Sequence, residues 1–188
     1  MKISLVLSVI IITSCTQKQD EDVYTNDLKD ASLAKAAQVT YEGKTQQIET
    51  GNTKPQEVLA FARTLIGTPY KYGSTDPAYG FDCSGFITYV FNHFNIAVPR
   101  SSIGFTDVQR QTDIEEAKPG DIILFTGTDS AVRTVGHMGI IISRNNEDIQ
   151  FIHSSSGKAN SVTITPLNEH YARRFVKIIR IFKQNDLD

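Results

Sequence analysis

Cysteine is scarce in this chain: 188 residues hold Cys15 and Cys83 and no others, too few for a disulfide framework. There is no CxxC or HxxxH pair, so the close ligand spacing of a structural zinc site is missing, and no metal is expected. The apolar run from Ile3 to Ile12 is shorter than the about 20 residues a membrane-spanning helix needs. No internal repeat is visible. A basic stripe interleaved with aromatics is also lacking, which excludes nucleic-acid partners. Net charge is −2, or −3 without residues 1–14 and their single Lys2.

What is present at the N-terminus follows a signal-peptide plan: Lys2, the apolar run, then Ile12-Thr13-Ser14-Cys15. Such a segment is expected to be removed on export. The polar stretch 15–52 has too few apolar residues for a core of its own and reads as a tether, with Ala31–Ala37 able to form a helical turn or two. Thr40–Ile48 is a candidate edge strand.

A compact domain is expected over 53–185. Pro55 opens a helix with Val58, Leu59, Phe61, Ala62, Leu65 and Ile66 on its apolar side, and Gly67 stops it. Residues 68–81 read as loop, with Pro69, Gly73, Pro77 and Gly80 as breakers. In the next helix Cys83, Phe86, Ile87, Val90, Phe91 and Phe94 fall at i, i+3, i+4, i+7, i+8 and i+11, with Asp82 as N-cap. Pro99-Arg100-Ser101-Ser102 turns into a second irregular or helical stretch. Strand patterns follow at Asp121–Thr126, His137–Ser143, Ile149–Ser154, Ser161–Thr165 and Phe175–Phe182, with a hairpin turn at Asn145–Asp148. Helices first and strands second give an α+β domain: helices packed on a meandering antiparallel sheet of about five or six strands.

Cys83 has two readings. It is the small apolar top of a core stripe, or it is a reactive thiol in the first turn of a helix, where the dipole favours thiolate. His137 and His153 lie on adjacent expected strands. Singly each reads as a strand histidine; together with Cys83 they have the makings of a nucleophile, a base and an orienting group. His93 and His170 read as solvated.

The ordered blocks Gly67-Thr68-Pro69-Tyr70-Lys71-Tyr72-Gly73, Phe81-Asp82-Cys83-Ser84-Gly85-Phe86, Pro99-Arg100-Ser101-Ser102, Lys118-Pro119-Gly120-Asp121, Gly136-His137-Met138-Gly139 and Phe151-Ile152-His153 resemble the NlpC family of bacterial cell-wall cysteine peptidases. The resemblance runs over roughly 54–182 and implies a circularly permuted papain-like fold. It implies Cys83 as nucleophile, His137 as general base and His153 as the residue that orients it. Tyr70 would stand beside the nucleophile, and Asp82, Ser84 and Ser102 would help bind the stem peptide. The implied activity is a peptidoglycan hydrolase acting on stem-peptide amides, chiefly between D-γ-glutamate and the following diamino acid, with no cofactor.

Ile12-Thr13-Ser14-Cys15 resembles the lipobox of bacterial lipoproteins, which implies cleavage before Cys15, lipid attachment to its thiol and anchoring to a bacterial membrane, facing the periplasm or the exterior. The protein is expected to be a monomer. Two positions depart from the pattern: Ser74 where a second glycine is common, and Phe105 where a glutamine is. Both bear on the substrate cleft. The competing functions are a non-catalytic wall-binding module and a thiol amidase or acyltransferase on another substrate.

Overall fold

The computed structural model describes residues 46–187 apart from 109, 146 and 147. The expectations for the signal peptide, Cys15, the Ala31–Ala37 turn and most of the Thr40–Ile48 strand lie outside these residues. Of the last, the bridge between Gln46 and Val108 is the described part.

Helix α1 spans Pro55–Thr64. Proline at its first position costs no intrahelical bond there, and the Glu57 carboxylate accepts the Lys54 N–H at 2.8 Å. The helix ends earlier than its apolar pattern suggested: Ile66 lies beyond it and is about half exposed. The Gly67 N–H then donates to the Val162 carbonyl at 2.9 Å, tying this turn to the far edge of the sheet.

The 68–81 segment is more ordered than a loop. It contains the short antiparallel pair β1 (Thr75–Asp76) and β2 (Gly80–Phe81), and isolated bridges join Pro69 to Ser161 and Tyr70 to Phe81. Helix α2 follows directly, Cys83–His93, with the Gly85 N–H donating to Asp82 Oδ1 at 2.5 Å. Phe86, Ile87, Val90 and Phe91 are fully buried on it. Each such side chain contributes about 1.5–3 kcal/mol by leaving water, which fixes the helix against the sheet. Asn95, with φ of 57°, terminates this region in the left-handed conformation that asparagine tolerates.

The sheet has six antiparallel strands: β3 (Gln111–Thr112), β4 (Ile122–Thr126), β5 (Val135–Asn145), β6 (Asp148–Ser155), β7 (Ser161–Pro166) and β8 (Phe175–Ile179). Their order is β3-β8-β4-β5-β6-β7. The expected meander therefore holds for β4 to β7. The short helix α3 (Glu169–Ala172) then returns the chain so that β8 inserts between β3 and β4. β8 ends at Ile179, short of the expected Phe182, and Lys183–Asp186 forms a 3-10 turn instead.

Every residue of β4 is buried, because both faces of the sheet are covered. Ile122 and Leu124 join the core under α1 and α2 together with Met138, Ile140 and Ile142 of β5. Ile123 and Phe125 join Ile141, Phe151, Tyr171 and Ile178 in a second core on the opposite face. The turn at Lys118-Pro119-Gly120-Asp121 is locked from within: the buried Asp121 carboxylate accepts from the Lys118 N–H at 2.8 Å, from Arg180 Nη2 at 3.1 Å and from Asn185 Nδ2 at 3.3 Å.

Candidate active site

Cys83 sits at the first position of α2, half-buried, and its Sγ lies 4.0 Å from the Gly136 carbonyl of β5. The thiol thus rests against the strand backbone next to His137. That close approach depends on two glycines. A Cβ at Gly85 would stand 2.0 Å from the Ser74 carbonyl, so only glycine lets the first turn of α2 pack on the 68–81 segment. A Cβ at Gly139 would stand 2.7 Å from Phe151 and 3.2 Å from the His153 Cβ. Glycine there lets β6 bring His153 close to His137.

His137 Nε2 and His153 Nδ1 are 2.8 Å apart, and His153 Nε2 is 2.9 Å from the Thr165 hydroxyl of β7. These three side chains form one hydrogen-bonded row across β5, β6 and β7. A row running from His137 Nε2–H to His153 Nδ1, and from His153 Nε2–H to Thr165 Oγ1, leaves the His137 Nδ1 lone pair free to take a proton. It also occupies the facing nitrogens that a zinc site on Cys83, His137 and His153 would draw upon. The rings are enclosed by Phe125, Phe151 and Tyr171, with the Tyr171 ring stacked at 6.1 Å from that of His137.

The electrostatics favour neutral forms throughout. Burial, followed by the Asp82 charge, pushes the Cys83 thiol up to about 11, against the pull of the Ser84, Cys83 and Met138 backbone N–H groups. The helix N-terminus alone does not overcome desolvation here. Burial lowers His137 well below the usual imidazole range, with His153, Arg174 and His170 adding to it, and burial then Arg174 lowers His153 to about 4. In the resting protein the thiol and both imidazoles are therefore neutral. Among the described residues no hydrogen bond joins Sγ to an imidazole, a common state for a site without substrate.

Tyr70 lies within electrostatic reach of Cys83 and Asp82, and its hydroxyl is hydrogen-bonded to Ser156; burial first, then those charges, raises its pKa. Asp82 caps α2, accepts the Ser84 hydroxyl at 3.2 Å and is ion-paired with Arg100 at 3.0 Å. Arg100 also donates to Ser84 at 3.0 Å and to the Gly73 carbonyl at 2.9 Å. The Pro-Arg-Ser-Ser block therefore reaches Asp82 and Ser84 through Arg100. Ser102 opens a 3-10 turn and makes none of these contacts, while Ser101 caps that turn. Phe105, at the position of a common glutamine, is fully buried in the helix-side core.

Several residues around this site escaped sequence reading. Thr165 had a signal: Ser161, Thr163 and Thr165 alternate along β7, and β7 pairs with the His153 strand. Arg174 had none. It is buried, donates to the Thr126 carbonyl at 3.0 Å and to His170 Nε2 at 3.1 Å, and stands 5.4 Å from the centre of the Tyr171 ring. His170 is exposed as expected, yet it belongs to this wall rather than to bulk solvent alone. His93 is exposed but stacked on Phe61 with ring centres 3.7 Å apart.

The chain is 30% identical over 72% of its length to the gamma-DL-glutamyl hydrolase of Bacillus subtilis, covering 32% of that protein. It is 37% identical over 61% of its length to the probable peptidoglycan endopeptidase LytE of the same organism, covering 30% of it. It thus spans about a third of these curated relatives. A crystal structure of an NlpC/P60 family protein from Bacillus cereus superposes with a TM-score of 0.62 at 27% identity, covering 71% of this chain and 42% of that one. The model of the NlpC/P60 family matches residues 67–180, a stretch that begins beside Tyr70, takes in α2 and the histidine row, and ends at β8; the chain belongs to that family.

Proposed function

We propose that this protein is an exported cysteine endopeptidase acting on peptidoglycan stem peptides, with the amide between D-γ-glutamate and the following diamino acid as its main target. The observation that carries this reading is the row Thr165–His153–His137 beside a thiol at a helix start. The names of the two Bacillus subtilis relatives support the substrate class. We assign 53–185 to the peptidase domain, 15–52 to a tether, and Cys15 to lipid attachment at a bacterial membrane.

In this mechanism the Cys83 sulfur forms a bond to the scissile carbonyl carbon as His137 Nδ1 takes the thiol proton. His153 and Thr165 hold the imidazole in the receptive tautomer and orientation, so His153 is a positioning residue. The Cys83 backbone N–H at the helix start and the hydroxyl of Tyr70 are assigned to the developing oxyanion, and one such donor is worth about 10²–10³ in rate. The C–N bond then breaks as the imidazolium returns the proton to the leaving amine. Water, deprotonated by His137, hydrolyses the thioester and frees Sγ. Asp82, Ser84 and Ser102 are assigned to the acyl-side pocket, with Asp82 held by Arg100.

Purified sacculi provide the test. Cys83→Ala is expected to cut the release of muropeptide fragments by about 10³-fold or more while far-UV circular dichroism stays unchanged. Release at the wild-type rate by that variant would sink the assignment.

A further inference from the structure

A cavity of about 580 Å³ opens next to the histidine row, lined by Ser155, Lys158, Thr163, Thr165, His170 and Tyr171. Two of its walls are groups that also touch the row: Thr165, bonded to His153, and Tyr171, stacked on His137. Its chemistry has one sign. The lining includes an ammonium and four hydroxyls but no carboxylate. His170 Nε2 accepts from Arg174, so the neutral ring carries its proton on Nδ1 and has a donor to offer. The adjacent acid, Glu169, is turned to Arg173 at 3.5 Å. Lys158 is exposed and makes no ion pair among the described residues. The start of α2 differs: there Asp82 is already matched by Arg100.

Acyl transfer decides which part of a substrate this cavity meets. The imidazole must stand beside the leaving nitrogen to return its proton, so the leaving fragment departs on the histidine side. We infer that the cavity is a subsite for a carboxylate carried by the leaving fragment, an inference that rests on the peptidase reading above. Lys158 and the His170 N–H are its charged and polar donors, with Thr163 and Thr165 as further hydroxyl partners. Two carboxylates have the right chemistry: a second carboxyl on the side chain of the diamino acid, and the terminal carboxyl of the stem. If the side-chain carboxyl is the one held, a diamino acid whose side chain ends in an amine alone gains nothing there.

Three synthetic peptides with the same L-alanyl-γ-D-glutamyl acyl part test this on the full chain. One carries both leaving-side carboxyls free, one has the side-chain carboxyl amidated, and one has the terminal carboxyl amidated. The free peptide is expected to exceed one amidated form by about tenfold in kcat/KM, the scale of one charge-assisted hydrogen bond, and the form that loses identifies the source. Lys158→Gln should bring that ratio towards one, and His170→Gln should lower it part of the way. Equal kcat/KM on all three peptides, or a ratio untouched by both substitutions, overturns the subsite and leaves the peptidase reading standing. Cleavage of none of the three by the wild-type protein overturns the peptidase reading itself, and the subsite falls with it.

Discussion

Cys83 takes the packed position that its stripe predicts, but not the thiolate that a helix start was expected to favour. It packs at the head of the α2 stripe, partly covered by the core, and it touches the backbone beside His137. The cost of that cover is a thiol pushed up to about 11, so the helix start does not deliver a standing thiolate. In the proposed mechanism reactivity comes from proton transfer to His137 during attack. Iodoacetamide labelling of Cys83 in the free protein is therefore expected to be slow at pH 7 and to keep climbing beyond pH 9. A labelling rate that levels off below pH 7 would show a preformed thiolate and contradict this balance. The sequence singled out Cys83 and both histidines; the sign of the thiol's shift was not legible, because it depends on how much of the sulfur the folded chain covers.

At the scale of elements, the first turn of α2 is where loop, helix and sheet meet. Asp82 and Ser84 are spent on the cap and on Arg100, and Arg100 clasps the 68–81 segment through the Gly73 carbonyl. Gly85 lets that segment approach. Helix propensity alone would make Gly85→Ala a gain of about 1 kcal/mol. The added Cβ would instead stand 2.0 Å from a backbone oxygen, and overpacking of this kind costs about 1–3 kcal/mol or more. The clash wins, so a lower urea midpoint is expected for Gly85→Ala, with a loss of activity as Tyr70 and its segment shift. A higher midpoint would mean that the segment yields freely. The α2 stripe and its Asp82 cap could be read directly from spacing. The pair β1–β2 could not, since two-residue strands leave no periodicity to detect.

For the molecule as a whole, a six-stranded sheet covered on both faces carries the histidine row on one face, and α2 on the other brings Cys83 to the β5 backbone beside His137. His153 is fully buried and has its pKa lowered to about 4, and His137 is lowered as well. In the unfolded chain both protonate near pH 6.5; in the folded chain they resist it. The unfolded state therefore binds more protons between those limits, and stability falls as pH drops from about 6.5 to 4. For His153 the whole shift amounts to about 3 kcal/mol, an upper figure for one group. The thermal midpoint is expected to decline over this window, and the decline should be shallower in His153→Gln. A midpoint flat from pH 7 to 4 in the wild type would contradict the buried, neutral pair.

The local patterns of this sequence were enough for the elements: apolar stripes at helical spacing made α1 and α2, alternation made β5 and β6, and the ordered blocks named the thiol and the imidazoles. Tertiary structure decided what no local pattern encodes. It inserted β8 between β3 and β4, set Thr165 behind His153, paired Asp82 with Arg100, and brought Arg174 beneath Tyr171. Apart from Arg174 and Tyr171, which are near neighbours along the chain, those contacts join residues 12 to 68 positions apart, fixed by strand register and burial rather than by spacing along the chain.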